Sequence, residues 1–188
     1  VRERMVELTR TSRWLKWLGA TGVIELTGDT ALVGHDGWSD GRAGDLEGSP
    51  VFMNDWLKIE ELKLSRMEVL RESLAGLGDT AAAFLAARLP RALEVAREVL
   101  VLTHYPPFVE ACWDDDRPGQ LMNAHMLPHH VCVAVGEVLL RHARERPDRS
   151  ITVLCGHTHG GGEARILPNL RVVTGAASYG NPALQKGF

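Results

Sequence analysis

The sequence has few cysteines, no long apolar run and no large excess of either charge. Three cysteines among 188 residues, at scattered positions, argue against a disulfide framework or a zinc ribbon. The apolar stretch VCVAVGEVLL is interrupted by Gly136 and Glu137 and is too short to span a membrane. The net charge of −3, from 21 basic and 24 acidic residues, lacks the basic footprint of a nucleic-acid-binding protein. We therefore expect one domain with its own core, in the cytoplasm.

The spacing of apolar residues predicts helices that alternate with strands through the middle of the chain. The runs EVLVLTH and SITVLCG predict two buried strands, because they are short and rich in β-branched residues. The other predicted elements are a helix over 1–18, a hairpin turn at 27–30, helices over 54–74 and from Asp79, a kink or restart at Pro90, a helix over 128–144, and two strands around 168–169. This order is typical of a layered α/β domain.

Both central predicted strands lead into histidine. EVLVLTH ends at His104, and SITVLCG is followed by His157, with His159 two residues further on. Ligands gather outside the carboxyl ends of strands in open α/β sheets, so neighbouring strands would place these rings at one edge. In extended backbone, residues two apart point to the same side, which would let His157 and His159 serve one metal or two adjacent metals. Flanking glycines leave room for substrate.

The segments LTHYPPF and VLCGHTHGGG resemble the last two signature blocks of calcineurin-like metallophosphoesterases. The resemblance runs from about the hairpin to the C-terminus, and LVGHDGWSDGR is similar to the strand and loop that follow the family's third block. It implies that His104 and His157 bind one ion of a two-metal centre and His159 the other. The metals would be two divalent or trivalent transition metal ions, chosen from Mn, Fe, Zn, Ni or Co.

The same resemblance implies an α/β (α+β) fold of four layers, in which two mixed sheets pack face to face between helices. It also implies a phosphatase or phosphodiesterase that hydrolyses phosphoester bonds. Three upstream blocks of the family are missing: Asp-x-His, Gly-Asp and Gly-Asn-His. Gly28-Asp29 falls in the predicted hairpin turn, and His35-Asp36 lacks the preceding Asn.

Because the chain also begins at Val1 rather than Met, we expect residues 1–188 to be the C-terminal portion of a single phosphoesterase domain, incomplete at its N-terminus. A missing N-terminal segment would then be a partner of this chain. No catalytic residue is identifiable, and without the metal-bridging carboxylates we expect little or no activity from the isolated chain.

Three further residues are candidates for contact with substrate. Trp38 and Arg42 lie in the segment GWSDGR, and Tyr105 adjoins His104. Arginine pairs well with phosphate, but an exposed turn explains GWSDGR at least equally well, and Tyr105 could simply pack. The segment HMLPHH is interpreted as a helix N-terminus rather than a metal cluster, and Cys112 lacks the neighbours of a nucleophile.

Three functions stay open at this point. The first is a two-metal hydrolase that acts on a phosphorylated small molecule or another phosphoester, with no membrane and no strong nucleic-acid signal. The second is a metal hydrolase that acts on a different bond, and the third is a non-catalytic remnant or interaction module. The missing carboxylates favour the third for the isolated chain, whereas the intact THYPPF and GHTHGGG favour the first for a longer parent protein.

Overall fold

A computed structural model describes residues 2–63, 66–181 and 183, and its centre is a mixed sheet of six strands. The strands are β1 (Ile24–Glu25), β2 (Thr30–His35), β3 (Glu98–Thr103), β4 (Ser150–Cys155), β5 (Gly162–Leu167) and β6 (Leu170–Thr174). Their order across the sheet is β1-β2-β3-β4-β6-β5. Strands β2, β3, β4 and β6 run parallel, whereas β1 and β5 pair antiparallel at the two edges. The carboxyl ends of four neighbouring strands therefore meet at one edge.

The described residues form five α-helices, which are α1 (Arg2–Thr11), α2 (Asp55–Lys58), α3 (Met67–Ala86), α4 (Leu89–Val95) and α5 (Val133–Glu145). Three of them, α3, α4 and α5, cover one face of this sheet. The main core joins α3, α4 and α5 to alternate strand residues such as Val101 and Val153. The intervening strand residues point to the opposite face. There Leu102, Leu154 and Val173 line a cleft of about 600 Å³ with Trp17 and other residues of the N-terminal segment.

The expected mixed α/β fold is confirmed, including the hairpin, the two central strands and the helix restart at Pro90. The helix break at Asp79 is wrong, because α3 runs unbroken through that residue. The helix expected over 54–74 is divided between α2 and the start of α3, and α1 ends at Thr11. All the described strands belong to one sheet, so the second sheet of the expected sandwich is not among the described residues. No helix in the described ranges is both long enough and apolar enough to cross a bilayer.

Candidate metal centre

The ends of β3 and β4 bring His104 and His157 together. These strands are adjacent and parallel, with Leu102 opposite Leu154. His104 Nε2 lies 3.2 Å from His157 Nδ1, and the ring centroids are 5.0 Å apart. Two nitrogens on one tetrahedral zinc, each about 2.0–2.1 Å from the metal, are separated by about 3.3 Å. The observed spacing therefore fits a single ion held by both imidazoles.

The backbone between the two histidines of GHTHG is bent rather than extended. His157 has φ of 67° and His159 has φ of 62°, both in the left-handed region. The buried Thr158 stabilises the bend, since its N–H donates to the Gly156 carbonyl and its hydroxyl donates to the Gly160 carbonyl. The expectation that both rings point to one side assumed an extended backbone, and that assumption is wrong. Left-handed conformations are costly outside glycine and cluster at functional sites.

His159 lies near the pair but does not close a three-nitrogen cluster with it. Its ring meets that of Tyr179 edge-on, with the centroids 4.7 Å apart. Among the described residues, the ring nitrogens of His104, His157 and His159 do not form a group in which all three lie within 4.8 Å of one another. Its charge still reaches the pair, because it helps to lower the pKa of both rings. This placement is compatible with a separate ion at His159, which stays a prediction.

The electrostatic surroundings keep the paired imidazoles neutral. Burial, assisted by the charges of neighbouring histidines, lowers the pKa of His157 to about 3. Burial is also the main cause of the lowered pKa of His104. Nε2 of His157 is buried and makes no hydrogen bond with a described residue, although buried polar atoms normally find a partner. A neutral imidazole has one N–H and one lone pair, so His157 would offer the lone pair of Nδ1, which faces His104 Nε2, and keep the proton on Nε2. The donor set therefore fits a metal.

Tyr105 and Trp38 form a stack behind His157. The Tyr105 ring lies 3.9 Å from the His157 ring and 5.4 Å from Trp38, and it meets His104 edge-on at 5.1 Å. Tyr105 is only 2% exposed, and burial raises the pKa of its hydroxyl. The structure therefore places Tyr105 as a packing residue that fixes the His157 ring. A contact of Tyr105 or Trp38 with substrate stays a prediction.

Arg42 belongs to a different network. Its guanidinium donates to the buried Asp40 carboxylate at 3.3 Å and to the Asp79 carboxylate on α3 at 2.7 Å. Asp40 in turn accepts the N–H of Ala134 at the start of α5, at 2.8 Å. Arg42 thus joins a loop to two helices, and no contact with the three histidines is seen. Its role in substrate binding stays a prediction.

Among the described residues, no aspartate or glutamate forms a compact ligand group with His104 and His157. Asp114, Asp115 and Asp116 form the one group of ligand atoms within 4.8 Å of one another in the described part of the chain. Asp114 is already held by the Arg117 guanidinium at 2.9 and 2.5 Å and by two backbone N–H groups. The acidic group therefore adds no carboxylate that would share an ion with His104 and His157.

The structure brings one further histidine beside His157 that was not among the predicted site residues. His130, in the segment interpreted as a helix N-terminus, places its ring 4.9 Å from that of His157. Helix α5 begins only at Val133, and a 3-10 turn at Leu127–His129 precedes it. The adjacent histidines His129 and His130 were visible in the sequence, but the geometry of that turn determines which of their two rings faces His157.

Comparisons with known proteins give little further information. No family model matches the sequence. No curated protein matches it either. Among solved structures, a dimetal phosphatase from Danio rerio has a similar arrangement, with 18% identity and a TM-score of 0.43. The match covers 81% of this chain and 47% of that protein, so the chain spans about half of its length. A likeness at this level carries no argument about activity.

Proposed function

We propose that this chain carries the histidine half of a two-metal centre that hydrolyses phosphoester bonds. In this proposal, residues 1–188 are the C-terminal portion of a single calcineurin-like phosphoesterase domain. The observation that carries the proposal is the 3.2 Å separation of His104 Nε2 and His157 Nδ1 at the ends of adjacent parallel strands. The bent, left-handed GHTHG segment adds support, because such strain persists where function requires it.

His104 and His157 would hold one ion and His159 the other, with Mn, Fe, Zn, Ni and Co all suited to imidazole. When bound, such a pair of metals activates water and withdraws charge from the phosphoryl oxygens. The protein's own contribution is to present neutral rings at a fixed spacing. The Tyr105 ring restrains the His157 ring. The backbone N–H of His104 donates to the Asp36 carbonyl, which anchors the end of β3 to the end of β2.

The substrate class proposed is a phosphorylated small molecule or another phosphoester. The cleft of about 600 Å³ at the carboxyl ends of the strands borders His104, His35 and Asp36 and has the volume of a small-ligand site. A net charge of −3 gives a long nucleic acid little attraction. A cytoplasmic location is proposed from the three unpaired cysteines.

A non-catalytic role is the second candidate, and it applies to this chain alone. In the described residues, no aspartate or glutamate joins two of the three histidines in a compact ligand group. A two-metal centre normally needs carboxylates to balance the charge of the ions. We therefore propose that a longer protein, which would include upstream carboxylates, is the active form, and that the isolated chain has little or no turnover.

The test compares the 188-residue chain with the protein as it occurs in its source cells. The intact mass of the native protein decides whether an upstream segment exists. Hydrolysis of bis(p-nitrophenyl) phosphate and p-nitrophenyl phosphate is then measured with Mn²⁺, together with bound metal. In the longer protein, His157→Ala should lower metal content and reduce the rate at least about 100-fold. His125→Ala, which alters a half-exposed ring, is the matched control. Unchanged turnover at full metal occupancy in His157→Ala would refute the proposed function.

A further inference from the structure

The loop after α1 exposes two large apolar side chains to solvent. Trp14 is 81% exposed and Leu15 is 62% exposed, and they are neighbours in the chain. Single apolar residues are common on protein surfaces, whereas adjoining large ones are a feature of surfaces that contact another molecule. Residues 12–17, which carry this pair, are called the Trp14 loop below.

Hydrogen bonds on both sides of the exposed pair hold the Trp14 loop in one shape. The Ser12 hydroxyl oxygen accepts the backbone N–H of Trp14 at 3.1 Å and that of Leu15 at 2.9 Å. On the other side of the pair, the Trp17 indole N–H donates to the Asp36 carboxylate at 2.6 Å. The pair is therefore presented by a fixed turn, so binding through it would order little backbone.

Positive charge accompanies the exposed pair. Residues 8–24 include three basic side chains, Arg10, Arg13 and Lys16, and no acidic one. The Arg13 guanidinium lies 4.9 Å from the centre of the Trp14 ring. The Lys16 ammonium donates to two backbone carbonyls of the same segment, at 2.7 and 2.8 Å. The apolar pair and the basic groups thus belong to one small surface.

The charge of the N-terminal segment is opposite in sign to that of the rest of the molecule. Residues 2–17 contain five basic and two acidic side chains and carry +3, whereas the whole chain carries −3. The other residues therefore carry −6. An anionic surface would attract the N-terminal segment and repel the rest, which gives binding one preferred orientation.

A lipid bilayer with anionic headgroups matches this combination of groups. Tryptophan is favoured in the headgroup region, because its ring is apolar and its N–H is polar. Nearby Lys and Arg are attracted to anionic lipids, and the apolar area that enters the bilayer adds to the affinity. A nucleic acid would satisfy the positive charge but would leave the exposed Leu15 without an apolar environment.

From these observations we propose that the Trp14 loop binds reversibly to the surface of an anionic lipid bilayer. Trp14 and Leu15 enter the headgroup region, while Arg10, Arg13 and Lys16 pair with lipid phosphates and carboxylates. The expectation of no membrane partner was based on the lack of a spanning run, which does not bear on surface attachment. The inference goes beyond the proposed function and does not depend on a metal.

The experiment sediments the 188-residue chain, in EDTA, with vesicles of phosphatidylcholine alone or mixed with phosphatidylserine. We expect binding to the mixed vesicles only, and at least about tenfold weaker binding when monovalent salt rises from about 0.1 to 1 M. Trp14→Ala and Leu15→Ala should each weaken binding at least about fivefold. Leu57→Ala is the matched control, since Leu57 is also 62% exposed but lies on α2, and it should bind as the wild type does.

A second measurement locates the contact. Brominated lipid in the mixed vesicles should quench the tryptophan fluorescence of the wild type. Trp14→Phe keeps an aromatic ring, so it should still bind and should lose most of the quenching. Quenching that persists in Trp14→Phe at equal binding would place another tryptophan at the lipid and overturn the inference.

Other outcomes also overturn it. Equal binding by wild type and Trp14→Ala does so, as does equal binding to neutral and mixed vesicles. If the chain binds no vesicle but self-associates in equilibrium sedimentation, and Trp14→Ala abolishes that association, the loop contacts a second copy instead. The native protein from its source cells should bind as the chain does, and binding by the chain alone would mean that an upstream segment covers the loop. His157→Ala should bind vesicles normally, so failure of the metal centre leaves this inference intact.

Discussion

Tyr105 shows how one buried ring sets the geometry of the histidine pair. Its ring packs on that of His157 at 3.9 Å and also contacts Trp38, which follows the end of β2. No described residue forms a hydrogen bond with its hydroxyl, so the ring itself is what matters.

We expect Tyr105→Ala to lower the free energy of unfolding by about 3–5 kcal/mol, because it leaves a cavity between two aromatic rings. The His157 ring would also lose its restraint, so Zn²⁺ affinity should fall. Tyr105→Phe keeps the stack and should stay within about 1 kcal/mol and retain wild-type affinity. Urea unfolding and Zn²⁺ calorimetry of both variants check this. Loss of affinity in Tyr105→Phe would show that the hydroxyl, not the ring, has the functional role.

At this scale the sequence predicted the residues better than their conformations. The prediction that His104 and His157 lie side by side is confirmed, because both follow buried strands that are adjacent and parallel. Their role as metal ligands stays a prediction. The left-handed φ of His157 and His159 was not predictable, since it depends on Thr158 closing a turn. The contact of His130 with His157 was not predictable either, because it depends on where the turn before α5 ends.

At the scale of elements, the buried carboxylate of Asp40 is the centre of a polar junction that joins the loop after β2 to α3 and α5. It accepts the Ala134 N–H at the start of α5 and the Arg42 guanidinium, which also reaches Asp79 on α3. This junction lies against the part of α3 where a new helix was expected to begin at Asp79. A side chain at Gly78 would lie 2.5 Å from the Asp40 Cβ, so glycine is needed for close packing within the helix rather than to end it.

Removing this junction should be costly. Asp40→Ala leaves the buried Ala134 N–H without its acceptor and removes one of the two carboxylates that hold Arg42, and we expect a loss of about 3 kcal/mol in the free energy of unfolding. Asp79→Asn is the matched control, since Asp79 also pairs with Arg42 but is 63% exposed. It should cost less than about 1 kcal/mol. Chemical denaturation measures both, and equal losses in the two variants would contradict the assignment of the junction to Asp40.

For the whole molecule, the sheet has two unequal faces. Three helices bury one face in a continuous apolar core, whereas the other borders the cleft beneath the N-terminal segment. The layered α/β class followed from the alternation of helices and strands. The strand order did not, because β6 pairs with β4 and places β5 at the edge, and nothing local in the chain determines that choice.

This asymmetry predicts how the molecule opens. In α1, Thr9 is the one buried residue, and the loop that follows α1 is attached to the end of β2 through the Trp17 indole N–H, which donates to Asp36 at 2.6 Å. Strands β3 and β4 are paired on both sides within the core. In native-state hydrogen exchange, amides of α1 should therefore exchange through low-energy local opening, and those of β3 and β4 only near the global free energy of unfolding. Amides of α5, with Leu139 and Ala143 buried, serve as a helical control and should be well protected. Protection of α1 equal to that of β3 would mean that the N-terminal segment unfolds together with the core rather than before it.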